Sequence, residues 1–241
     1  MNKVQDKIRK LLESKGLTIV LGALLLITVV YLGRETYSFA TGENVRVTED
    51  VKCVVIDAGH GGIDPGKVGI NGAHEKDINL QIALLVKQYL EAAGVKVVMT
   101  RETDAGLNDS DASNKKVQDM KRRIALIDET APQVTVSIHQ NSYPEEYVRG
   151  AQVFYYNTSV PGKKLAGYIQ DQMVAKVDPE NKRNIKPNDS YYLLKKTDIP
   201  IVIVECGFLS NSVEAERLCD PEYQDRVAWA IHMGILQYLN D

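Results

Sequence analysis

The chain has 241 residues, enough for one well-buried domain, and its 44% hydrophobic and 25% charged side chains exclude disorder as the default. The formal net charge of −3 is unevenly spread: residues 1–40 carry six basic and three acidic side chains, which leaves 23 basic against 29 acidic from residue 41 onward. A body that acidic lacks the basic face that phosphate neutralisation requires, so nucleic acid is excluded as a partner.

The first feature in chain order is the uncharged run 17–32 (LTIVLGALLLITVVYL), which follows a basic segment. It is slightly short of the ~20 residues that span a bilayer, but Gly33 and flanking side chains extend it. A secretory signal is the competing reading, with Ser38 and Ala40 as a small-residue cleavage pair. Arg34 and Glu35 interrupt the approach to that pair, which favours an uncleaved anchor over 1–40. The basic residues before the run put the amino terminus in the cytoplasm and the rest of the chain outside. Residues 41–51 (TGENVRVTEDV) read as a polar linker, and 52–241 as the folded domain.

From residue 52 short β-branched runs alternate with helical patterns. Strands are expected at 52–57 (KCVVID), 95–101 (VKVVMTR), 134–139 (VTVSIH), 151–156 (AQVFYY), 191–195 (YYLLK) and 201–205 (IVIVE). Several are apolar throughout, as expected for strands covered on both faces. A helix is expected to start at Asp77, with Ile78, Ile82, Leu85, Val86, Tyr89 and Leu90 at helical spacing and Gly94 as its stop. Further helices fit 116–128, 163–176, 212–219 and 223–239, and polar loops fit 103–114 and 178–190. Strand–helix alternation predicts an α/β layered domain with a twisted, mostly parallel sheet. Cys53, Cys206 and Cys219 are odd in number and far apart, which suggests neither a zinc knuckle nor a disulfide framework.

Three of the apolar strands run into a metal-capable side chain. The run VVID leads through Ala58 and Gly59 to His60, VTVSI ends on His139, and IVIV ends on Glu205. Ligands of α/β sheets gather outside the carboxyl ends of strands, where these three side chains could converge. A fourth candidate, Glu75, opens the first long helix, and the glycine-rich stretch after His60 can fold it back onto the strand ends. Two imidazoles and one carboxylate with an open position make the usual hydrolytic zinc site. A further carboxylate is then needed to move protons. His60, Glu75 and His139 as ligands, with Glu205 as acid/base, use each residue once. Each histidine taken singly is equally well a turn or core residue, but a carboxylate ending IVIV is costly to bury without a purpose. His74 and His232 read as structural.

Five segments then bring a family into view: VVIDAGHGG (54–62), EKDINL (75–80), VMTRETD (98–104), SIHQN (137–141) and ECGFLSN (205–211). In this order they resemble the zinc-dependent N-acetylmuramoyl-L-alanine amidases of the amidase-3 type, across nearly all of 52–240. The resemblance implies a six-stranded sheet flanked by helices, one zinc ion per chain held by His60, Glu75 and His139, and Glu205 as the catalytic carboxylate. It departs from the family at Ala58, where a proline is usual, and at Asp128, where many members have asparagine. Arg123 matches the arginine of a mid-chain motif, with a structural ion pair weighed above a role in the site. The short layout with an amino-terminal anchor looks most like the sporulation amidases of the CwlD group. That implies removal of stem peptides from spore-cortex peptidoglycan, towards muramic δ-lactam and germination. The catalytic domain is then expected outside the cytoplasmic membrane, facing the forespore intermembrane space in a spore former. A glycine-rich link between His60 and Glu75 that holds the site poorly alone is a reason to expect an activating protein partner. The rival expectations are another zinc peptidase or deacetylase of the cell wall, and a non-catalytic wall-binding module.

Overall fold

The computed structural model describes residues 24–30 and 51–241. Residues 24–30 are helical, with the Thr28 hydroxyl donating to the Leu24 carbonyl at 2.8 Å. The rest of the 17–32 run, and the linker up to residue 50, lie outside the described residues. Among the described residues no helix is long and apolar enough to cross a membrane.

The unit Val51–Asp241 is built on a six-stranded sheet. Its strands are β1 (Cys53–Ala58), β2 (Lys96–Met99), β3 (Val134–Asn141), β4 (Gln152–Tyr155), β5 (Lys186–Pro187) and β6 (Ile201–Phe208), in the order β2-β1-β3-β6-β4-β5. The helices are α1 (Glu75–Ala92), α2 (Lys115–Thr130), α3 (Val160–Lys176), α4 (Tyr192–Lys195), α5 (Ser212–Cys219) and α6 (Pro221–Leu239).

The sheet is mixed and, as expected, mostly parallel: β1, β2, β3 and β6 pair in parallel and β4 pairs in parallel with β5, whereas β4 pairs antiparallel to β6. Residues 142–151, between β3 and β4, contain no helix to act as a crossover, so the chain comes back in the opposite direction. The expected strand at 191–195 is the helical turn α4, and the fifth strand comes from the 178–190 segment expected as a loop. Leu193 and Leu194 are adjacent and both buried, which a helical turn over a sheet allows and an alternating strand does not. The two residues of β5 are exposed, and Pro187 costs nothing at a sheet edge.

Alternation along the strands divides the core. Val54, Ile56, Val136, Val204 and Cys206 pack on one face against α1, α3 and α6. Val55 and Ile203 pack on the other face with Ile127 of α2 and Leu193 and Leu194 of α4. This second face is thinly covered, and towards the strand ends its positions turn polar. Asp57 pairs in register with Ser137, and His139 with Glu205. The period of two therefore lines these four side chains along one face, at the carboxyl end of three adjacent parallel strands. A cleft of about 340 Å³ opens there, between the sheet, α2 and α4.

Candidate active site

His60 follows β1 across Gly59 and takes a left-handed backbone, with φ 61°. Glu75 is the first residue of α1, which begins two residues earlier than Asp77, and it is 2% exposed. His139 lies near the end of β3 and Glu205 near that of β6, as expected. One ligand atom from each of His60, Glu75 and His139 lies within 4.8 Å of the other two. His60 Nε2 stands 3.2 Å from Glu75 Oε2, and His139 Nδ1 stands 2.9 Å from Glu75 Oε1. The two rings meet edge to face, with centroids 5.0 Å apart.

Two glycines let the groups come this close. A Cβ on Gly59 would lie 2.3 Å from the His139 ring. A Cβ on Gly66, where φ is 69°, would lie 2.5 Å from Glu75 Oε2 and 2.7 Å from the His60 ring. The Glu75 carboxylate also accepts the backbone N–H groups of Lys67 at 2.8 Å and Gln140 at 3.1 Å. Burial pushes its pKa up, but hydrogen bonds from His139 and His60 and their charges outweigh that, and Glu75 stays well below the usual carboxylate range.

Glu205 is the opposite case. One oxygen, Oε1, accepts the Tyr191 hydroxyl at 3.2 Å, while the buried Oε2 has no hydrogen-bond partner among the described residues. Burial, with a contribution from the Glu75 charge, pushes the carboxyl up to about 7 against the pull of His139. His60, His139, Tyr191 and Glu205 all line the cleft, and Ile63, Met120, Leu193 and Ile203 give it apolar walls. The site thus pairs one carboxylate locked in its ionised form with another poised to change protonation near neutral pH.

The donor set fits a divalent transition metal. Asp64, four residues after His60, sits 3.0 Å from His60 Nδ1. With the Nδ1–H donated to the Asp64 carboxylate and no proton on Nε2, the Nε2 lone pair faces Glu75 Oε2, an arrangement that calls for a cation between two Lewis bases. Burial lowers the pKa of His139, but the hydrogen bond and charge of Glu75, then the charges of Glu205 and Asp57, raise it overall. The neighbouring carboxylates Glu75, Glu205 and Asp57 thus favour positive charge at His139.

Asp64 and Tyr191 were not anticipated from sequence. Asp64 sits in the glycine-rich stretch without any periodic signal, and Tyr191 was assigned to a strand. His74 is exposed. His232 is buried against Tyr89 and Trp229, far in role from the cleft.

Residues 54–237 match the N-acetylmuramoyl-L-alanine amidase family of the amidase-3 type. The germination-specific N-acetylmuramoyl-L-alanine amidase of Bacillus subtilis (strain 168) is 38% identical over 193 residues, covering 79% of this chain and 81% of that protein. Among solved structures, the CwlD amidase of Clostridioides difficile in complex with the GerS lipoprotein superimposes with a TM-score of 0.76 at 41% identity, covering 78% of this chain and 98% of that one. An N-acetylmuramoyl-L-alanine amidase of Clostridium difficile 630 gives 0.72 at 31% identity, covering 80% and 99%.

The fold and the cleft are thus those of a cell-wall hydrolase with an α/β core. The chain belongs to the amidase-3 family of N-acetylmuramoyl-L-alanine amidases and is similar to the CwlD-type members.

Proposed function

We propose that the chain is a zinc-dependent amidase in which His60, Glu75 and His139 hold one metal ion and Glu205 moves the protons. The observation that carries this reading is the convergence of two imidazoles and an ionised carboxylate beside the unpartnered Oε2 of Glu205. When bound, zinc supplies Lewis acidity that acidifies a water and polarises the scissile carbonyl. Glu205, poised to ionise near 7, accepts the water's proton at Oε2 and returns it to the departing L-alanine nitrogen. The Tyr191 hydroxyl donates to Oε1, which leaves Oε2 as the oxygen free to take a proton. Asp64 fixes the His60 tautomer.

Similarity to the germination-specific relative supports a role in the spore cortex, where removal of stem peptides prepares muramic δ-lactam. The CwlD amidase of similar structure is seen with a lipoprotein, which supports an activating protein partner for this chain. The basic segment and apolar run before residue 40 support anchoring in the cytoplasmic membrane, with the catalytic domain outside, facing the forespore intermembrane space in a spore former.

The test is digestion of purified peptidoglycan by the full chain with and without added zinc, followed by product analysis. New L-alanine amino termini that vanish on chelation and return with zinc are expected. Chelator-resistant release of L-alanine termini would remove the metal from the reaction.

A further inference from the structure

The turn that carries His60 is gripped by buried cations. Arg123 of α2 is 1% exposed, and its Nη1 donates to Asp57 Oδ1 at 2.6 Å and to the Ala58 carbonyl at 2.9 Å. Its Nη2 donates to the carbonyl of His60 itself at 2.7 Å, and its Nε to Asp119 at 2.7 Å. Arg101, also buried, donates from Nε to the Ala58 carbonyl at 2.9 Å and from Nη2 to the Gly59 carbonyl at 3.0 Å. The same Nη2 reaches the carbonyl of Lys76, next to Glu75, at 2.7 Å. Asn79 of α1 adds a bond to the Gly59 carbonyl at 3.2 Å. Three consecutive carbonyls, 58 to 60, thus receive five side-chain hydrogen bonds.

Holding α2 on the sheet does not require this. Ile127 of the same helix is fully buried against the apolar part of that face. Burying two guanidiniums near each other is expensive, and apolar side chains of similar volume often serve stability as well or better. What a guanidinium can do, and an apolar side chain cannot, is fix the direction of a carbonyl. At His60 that direction matters, because φ 61° is a conformation a β-substituted residue holds only when its surroundings impose it. Rotating those peptides turns the imidazole away from Glu75.

We infer that Arg123 and Arg101 are positioning residues for the metal site: a two-arginine clamp on the 58–60 backbone that sets the His60 imidazole against Glu75. Arg123 anchors the clamp to the sheet through Asp57, which Thr100 and Ser137 hold in turn at 2.8 and 2.5 Å. Arg101 carries it across to α1, so one side chain ties the turn bearing His60 to the helix bearing Glu75. The inference rests on the zinc reading of the site.

The test is zinc affinity, measured on the full chain by competition with a chromogenic chelator, beside the melting temperature of the metal-free protein. Arg123→Lys keeps the charge opposite Asp57, but a single ammonium cannot span Asp57, Ala58 and His60. It should bind zinc about 10- to 100-fold more weakly, the usual cost of removing a group that orients a metal ligand. Arg101→Lys leaves the Arg123–Asp57 pair intact and should shift affinity in the same direction, so it carries the test if the first variant fails to fold. Ile127→Ala lowers the melting temperature through a cavity in the same helix and should leave zinc affinity where it was. Unchanged affinity in the folded lysine variants would overturn the clamp. So would an equal loss in Ile127→Ala, because general loosening would then explain it. A wild-type chain that takes up no zinc would overturn the metal reading and the clamp with it.

Discussion

Replacing Gly59 by alanine probes the metal site without changing the chemistry of any ligand. The added Cβ would lie 2.3 Å from His139 Cε1 and Nε2, where ordinary contact begins at 3.4 Å. The difference is about 1.1 Å, and the ring must retreat by most of it, because the Gly59 N–H is tied to the Ile138 carbonyl at 3.1 Å. Metal–ligand distances tolerate only about ±0.2 Å. Displacement on the 1 Å scale commonly costs about 100-fold in turnover, and weaker zinc binding should accompany it. The backbone of Gly59 is not left-handed, so alanine strains no dihedral and the domain should fold. The assay is zinc per chain after dialysis, together with release of L-alanine amino termini from peptidoglycan. Full zinc occupancy and near-normal turnover in a folded Gly59→Ala protein would refute the view that His139 binds metal at this position.

The other expectations follow from the division of labour between the two glutamates and from the amino-terminal run. Glu205→Gln should retain zinc and substrate binding while kcat falls roughly 10²–10⁴-fold, whereas Glu75→Gln should lose zinc first. The reverse pattern of zinc content would exchange their roles. In the metal-free protein the Glu205 carboxyl is raised from 4.5 to about 7. Its proton is thus held more tightly in the folded state. The associated stability is present below about pH 4.5 and lost as pH rises through 7. Glu205→Gln should accordingly raise the melting temperature of the metal-free protein at pH 8, by up to about 3 kcal/mol of stability, with the gain fading below pH 5. Equal melting at pH 8 would show that Glu205 is not poised by burial. Full-length protein should fractionate with membranes, with 41–241 accessible from outside; a mature chain beginning near Thr41 would establish a cleaved signal instead.

Three of the four principal residues, His60, His139 and Glu205, were legible because strand chemistry is periodic, and Glu75 because it opens the first long helix. Apolar runs marked strands covered on both faces, and the metal-capable side chain that follows each run lies towards the carboxyl ends of the strands, where ligands collect. Parallel register then did the rest, setting His139 beside Glu205 and Asp57 beside Ser137 on one face. What stayed hidden has no period. Tyr191 reaches Glu205 because Leu193 and Leu194 fold over the sheet as a helical turn, and a pair of adjacent leucines reads equally well as strand. Asp64 reaches His60 through a glycine-rich stretch whose left-handed residues, Gly61, Gly62 and Gly66 among them, erase any side-chain pattern. Arg123 was visible as a motif residue in an expected ion pair, which it makes with Asp57 and Asp119, yet its further bonds to the carbonyls of Ala58 and His60 leave no sequence signal, because every residue type supplies a carbonyl. A sequence therefore announces the groups that pack or ligate with their side chains. It conceals those carried by segments without a period, as Asp64 and Tyr191 are, and those that act on another segment's backbone, as Arg101 and Arg123 do.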